Sequence, residues 1–181
     1  MDQSLLAGWE NFYVIVGSSA AGLTGITFVV IALVRDARRV QPTGLRGFVT
    51  PTIVHFGGVL ALAAFLSMPH QHLLTLSVGF GAGGAAGIIY GLFIAHYIGG
   101  IASEYVAVRE DWIFNVIVPT LAYLALLGMA FLLWERAQLA LYGVALISLI
   151  LLFVGIRNAW DIAVWMALAK LPDSAAGNKP D

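Results

Sequence analysis

The chain has no cysteine among its 181 residues. Disulfides, thiolate metal sites and cysteine nucleophiles are therefore excluded. Charge is nearly as scarce, at 10% of residues, against about 25% in ordinary soluble domains. Ten acids and nine bases cannot cover the surface of a soluble protein this long. The net charge of −1 leaves no basic face for nucleic acid.

What is present is apolar: 60% of residues are hydrophobic and the mean hydropathy is +0.90. The few charges are also segregated, with no Asp, Glu, Lys or Arg in 11–34, 47–103, 112–134 or 137–156. A bilayer core needs about 20 apolar residues in helical form to be crossed. The pattern predicts an all-α integral membrane bundle. Met1-Asp2 opens acidic rather than basic, and the first apolar run is too long for the apolar core of a signal peptide, so it is expected to remain as a span.

Five transmembrane helices are expected, in a single domain over 1–170 followed by a disordered polar tail over 171–181. The spans fall at about 9–34, 51–68, 73–101, 112–134 and 139–156, the last extending as helix to about 169. Thr50 can cap the second span, and Pro51 suits its first turn, where a missing N–H costs nothing. Pro119 should kink the fourth by freeing the carbonyl of Asn115. With the N-terminus outside and the C-terminus inside, Arg35, Arg38, Arg39, Arg46, Arg109, Arg157, Lys170 and Lys179 lie inside and Arg136 outside, a split of 8 to 1. A re-entrant third segment would make it 5 to 4, so the positive-inside rule favours a full crossing.

Gly79-x-Gly81-x-x-Gly84 matches the dinucleotide fingerprint literally. That fingerprint needs a preceding strand, an aqueous crevice and an acid about 20 residues on. Here the run is charge-free and its first downstream acid, Glu104, lies past the helix end. The spacing of Gly83, Gly87, Gly91, Ala95 and Gly99 predicts instead a ridge for close helix packing. Gly17, Ser18, Ala21, Gly22, Gly25 and Ala32 form a similar face on the first span. Two such faces suggest contact with each other or with copies of the chain. The alternative is a helix break at Gly79–Gly84 lining a ligand cavity.

Polar residues within or beside spans are functional candidates by default. Glu10, Asn11, Ser18, Thr24, His55, His96 and Asn115 are the possible pore or ligand residues. The commoner role for each is a hydrogen bond to a neighbouring helix, or a solvated helix end. His55 and His96 cannot share a metal within one hairpin, since they are offset by about 15 Å along the axis. His70 and His72, in Met68-Pro69-His70-Gln71-His72, are the alternative metal candidates. Arg157 and Asp161 are spaced to form an ion pair.

The segments "WENFYVIVGSSAAGLTGITFVVIAL" (9–33) and "TPTIVHF" (50–56) resemble a group of small bacterial integral membrane proteins of uncharacterised activity. The resemblance covers the first two spans well and the rest loosely. It implies a bacterial inner-membrane setting and no particular chemistry. The residues themselves favour a homo-oligomeric channel or passive transporter for an ion or small solute, with the lipid bilayer and copies of itself as partners. The alternatives are an assembly subunit docked on a partner membrane protein and an intramembrane haem or metal binder. No cofactor is expected. No two carboxylates share a span and no base–nucleophile pair is evident, so an enzyme is the least favoured class.

Overall fold

The computed structural model describes residues 5–35, 50–100 and 109–169, and over these it is all-α. Five helices follow in order: α1 Glu10–Arg35, α2 Thr50–Leu66, α3 Leu73–Gly100, α4, and α5 Ala137–Ala169. Helix α4 is continuous but built from three pieces, an α turn Arg109–Trp112, a π-helical turn Ile113–Ile117, and an α-helix Val118–Glu135. Residues 36–49, 101–108 and 170–181, which hold most of the expected loops and the whole expected tail, lie outside the described residues.

Four helical segments are long and apolar enough to cross a membrane: Glu10–Ala32, Leu73–Gly99, Ile113–Glu135 and Ala137–Val164. Helix α2 departs from the five comparable spans expected. Its 17 residues reach about 25 Å, short of a hydrocarbon core of about 30 Å. Helix α5, at 33 residues, reaches about 50 Å and exceeds that thickness.

The helix ends have local causes. Gly8 takes a φ of 87°, which a side chain would resist, and gives its N–H to Glu10 Oε2 at 2.8 Å. Pro51 sits buried in the first turn of α2. That helix stops before Pro69, where the Phe65 carbonyl accepts both the Met68 N–H at 3.2 Å and Gln71 Nε2 at 2.8 Å. Arg136 alone separates α4 from α5.

Helix α3 lies along α4, α4 along α5, α5 along α2, and α2 along α1. Helices α2 and α3 share a short turn but touch little beyond it, because α3 leans onto α4. Helix α5 is the centre of the bundle, with 56% of its span buried against 22% for α1 at the edge. The core between them is built from residues such as Phe56, Val59, Phe80, Leu126, Leu141, Val144 and Leu151. One end of the bundle, the hairpin end, joins α1 to α5 through the Trp9 and Tyr142 rings, 4.9 Å apart. It also joins α3 to α4, where Ser77 Oγ donates to the Ala130 carbonyl at 2.8 Å and receives Trp134 Nε1 at 3.1 Å. The opposite end carries Glu110, Arg157 and Asp161, and is called the charged end below.

Helix α3 runs unbroken through Gly79–Gly84. Its buried line is Leu76, Phe80, Gly84, Gly87, Gly91, Ile94 and Ile98. The expected ridge shares only Gly87 and Gly91 with this line; Gly83 and Gly99 are exposed and Ala95 is half-buried. A strict four-residue spacing drifts around a helix of 3.6 residues per turn, whereas alternating steps of three and four keep one seam against the partner. That partner is α4, rather than α1 or a second copy. A Cβ at Gly84 would lie 2.7 Å from the Leu127 backbone nitrogen and 2.9 Å from the Tyr123 carbonyl oxygen. At Gly87 it would meet the Tyr123 ring, and at Gly91 the Thr120 hydroxyl. On α1, Gly17 packs against the Ala63 Cβ, while Ser18, Ala21, Gly22 and Gly25 face outward from the bundle.

Backbone cannot yield as a side-chain tip can. Gly84→Ala is therefore expected to lower stability by about 1–3 kcal/mol through overpacking. Gly99→Ala, at a position with nothing within 4 Å, should be neutral or raise stability by up to about 1 kcal/mol through helix propensity. Thermal melts of the detergent-solubilised protein compare the two, and equal shifts would contradict the close α3–α4 approach.

Candidate functional site

Helix α2 buries Pro51, Thr52, His55, Phe56, Val59, Ala63 and Leu66, the three- and four-residue spacing of one face. His55 falls on that face and is only 1% exposed. Its Nδ1 lies 3.2 Å from the Tyr123 hydroxyl of α4, with the donor set by the imidazole tautomer. The two rings are 5.9 Å apart, and the Tyr90 ring of α3 stands edge-on to His55 at 6.3 Å. Thr120 precedes Tyr123 by one turn of α4 and fills the space beside Gly91, the residue that follows Tyr90 in the sequence. Three helices thus bring four polar side chains together.

Three polar atoms of this cluster, His55 Nε2, Tyr90 Oη and Thr120 Oγ1, are buried without a hydrogen-bond partner. Each such atom costs about 1–3 kcal/mol relative to a satisfied one. Native interiors rarely leave several together, so the group calls for an explanation. Tyr13 Oη is also unpartnered, but Tyr13 packs with Trp9 and Phe12 at the hairpin end.

A second polar layer lies nearer the charged end. Val118 donates its N–H to the Ile113 carbonyl, a π step, and Pro119 has no N–H to give. The adjustment expected at Pro119 thus takes the form of a π turn just before it. Asn158 of α5 meets that turn, donating from Nδ2 to Asn115 Oδ1 at 3.0 Å, with the Phe114 carbonyl at 3.5 Å. Both Asn side chains are buried.

The third layer closes the end. Arg157 Nη2 meets Glu110 Oε2 at 3.0 Å, Nη1 meets Asp161 Oδ2 at 3.1 Å, and the guanidinium sits 3.7 Å over the Phe114 ring. These carboxylates are largely exposed, so the pairs contribute at most about 1 kcal/mol each and serve to hold Arg157 in place. Glu110, Asn115 and Thr120 follow at five-residue intervals on α4, about 7.5 Å of rise each. Polarity therefore steps down from charges to amides to hydroxyls and imidazole.

The residues expected from sequence are distributed unevenly over this arrangement. His55 is in the cluster and Asn115 in the amide layer. His96, His70, His72, Asn11 and Ser18 are exposed, and Glu10 bonds the Gly8 N–H. Thr24, Ser19 and Thr27 donate to the carbonyls of Ala20, Ile15 and Leu23, four residues back on α1, instead of bridging helices. Among the described residues no group of three or more His, Asp or Glu could hold a metal. Tyr90, Tyr123 and Asn158 were not singled out from the sequence. Their signal was depth: tyrosine concentrates at membrane interfaces, whereas Tyr90 and Tyr123 stand far inside apolar runs.

The fold and the site define an all-α chain with four helical segments fit to cross a bilayer and a buried polar cluster contributed by α2, α3 and α4. Comparison with protein-family models, curated proteins and solved structures finds no match.

Tyr123→Phe should lower stability by about 1–3 kcal/mol, because it leaves His55 Nδ1 unpaired as well as Nε2. Tyr90→Phe deletes a hydroxyl that has no partner, and should leave the melting temperature unchanged or higher. A larger loss in Tyr90→Phe than in Tyr123→Phe would refute this hydrogen-bond assignment.

Proposed function

We propose that the protein is a passive membrane transport protein, a carrier for a small solute held at the His55–Tyr90–Thr120–Tyr123 cluster. The observation that carries this reading is the three unpartnered polar atoms contributed by three helices to one apolar interior. A solute that hydrogen-bonds them would remove their cost, which supplies a reason for the interior to keep them. The atoms are sealed from solvent, so the state described is occluded, as in a carrier between its two openings, rather than an open channel.

In this proposal the chain crosses a bacterial inner membrane five times, N-terminus outside, with the charged end facing the cytoplasm. The 8-to-1 distribution of Lys and Arg supports that orientation. The short α2 fits it by resting within its neighbours rather than reaching both surfaces alone. A proton pump is disfavoured, because its relay would need ionisable groups spaced through the interior. Among the described residues, buried ionisable groups other than tyrosine come down to His55. A bis-His haem or metal site lacks support too, since His96 points away from the bundle.

Self-association, expected from two small-residue faces, now rests on one. Gly84, Gly87 and Gly91 of α3 are filled by α4, whereas Ser18, Ala21, Gly22 and Gly25 of α1 remain open. The same open face favours, as a second reading, an assembly subunit docked against a different membrane protein. Native purification in mild detergent separates the two, giving a homo-oligomer in one case and a fixed companion protein in the other.

Reconstituted proteoliposomes test the carrier directly. Flux of at least one solute from a panel of ions and small neutral molecules should exceed that of protein-free vesicles, and His55→Ala should reduce it at least tenfold. Background flux for the whole panel would overturn the proposal.

A further inference from the structure

Resting on the carrier reading, we infer that the solute at this cluster is uncharged, only a few heavy atoms in size, and able both to donate and to accept hydrogen bonds. The chemistry of the unpartnered atoms carries the first part. A threonine and a tyrosine hydroxyl can each donate or accept, and an imidazole Nε2 does either according to tautomer. A guest with both donors and acceptors satisfies all three without a fixed proton arrangement. None of the four side chains is ionically paired, and the ion pairs recorded among the described residues are those of Arg157.

Those charges are too far away to help. Glu110 stands ten residues before Thr120 on α4, about 15 Å of helical rise. An ion drawn to the cluster would lose its hydration with no opposite charge to meet it, and an unpaired ion in an apolar interior is strongly disfavoured. A neutral solute loses only hydrogen bonds, which the three free atoms can replace.

The size follows from the packing. Tyr123 lies against Gly87 and Thr120 against Gly91, so both glycine notches are already filled by members of the cluster. On the third side, Gly58 of α2 faces the Tyr123 hydroxyl, where a Cβ would stand 3.2 Å away. Space opens only as a phenol or the threonine turns out of its notch. The guest is thus of the class of water, urea or a short polyol.

Stopped-flow light scattering on proteoliposomes distinguishes these sources, with separate gradients of sucrose for water flux, urea and glycerol. Potassium and chloride fluxes are followed in the same vesicles by ion-sensitive dyes. At least one neutral permeability should exceed that of empty vesicles tenfold, with both ions at background. The double variant Tyr90→Phe/Thr120→Val should lose at least four-fifths of that permeability while eluting and melting as a folded protein. Thr120→Ser, which keeps the hydroxyl, should retain it. Ion flux with neutral solutes at background would overturn this inference and leave the carrier reading standing. Background flux for every solute would overturn both. Neutral flux unchanged in the double variant, or a Thr120→Ser variant as impaired as it, would remove the solute from this cluster.

Discussion

The arrangement depends on how near the backbones of α3 and α4 come to one another. Gly84 admits the Leu127 nitrogen and the Tyr123 carbonyl to within contact distances that no side chain would tolerate. In an apolar surrounding that close approach is the main source of helix cohesion, because hydrocarbon competes as well for apolar side chains as another helix does. The same approach seats Tyr123 and Thr120 in glycine notches and so fixes where their hydroxyls lie. From there, Tyr123 reaches across to His55 on α2. Helix α2 touches α3 sparingly, and the Tyr90 ring beside His55 and the Phe65 ring against Gly79 are among the contacts between them. Packing on one side of the bundle thereby sets the chemistry on the other.

Polarity graded along the length of α4 gives the molecule a direction. The ion pairs of Arg157 hold the outermost layer, amides the next, and neutral hydroxyls with one imidazole the deepest. The π turn sits between the first and last of these. Single π turns within α-helices recur at functional positions, because they release a carbonyl from the regular ladder. Here Asn158 of the central helix approaches that carbonyl and ties the π turn of α4 to the most buried element of the bundle.

Much of the architecture was legible in the letters. Charge-free runs located the helices to within a few residues, and Thr50-Pro51 marked the start of α2. What the letters could not specify was which face of each helix turns inward. In a soluble helix the polar side answers that question, but α2, α3, α4 and α5 are apolar all round, and the periodicity carries almost no signal. The glycine ridge was therefore assigned a partner by spacing alone, and its true seam runs one residue to the side at Gly84. His55 was legible as an isolated polar letter. Its companions Tyr90 and Tyr123 were legible only as tyrosines far inside apolar runs, a position that marks depth without saying which helix they meet. Asn158 hid behind the charges beside it.

Helix α1 shows what a hydroxyl becomes when its proton stays within its own helix. Ser19, Thr24 and Thr27 each complete a bond to the carbonyl one turn back, and such bonds often bend a helix slightly. To an apolar surrounding, Ser19 and Thr24, the two not buried in the bundle, present mainly their carbon and a spent oxygen. Scales that score serine and threonine as bare polar groups consequently understate how readily α1 partitions into oil, and its greasiness is a property of the folded turn rather than of its spelling.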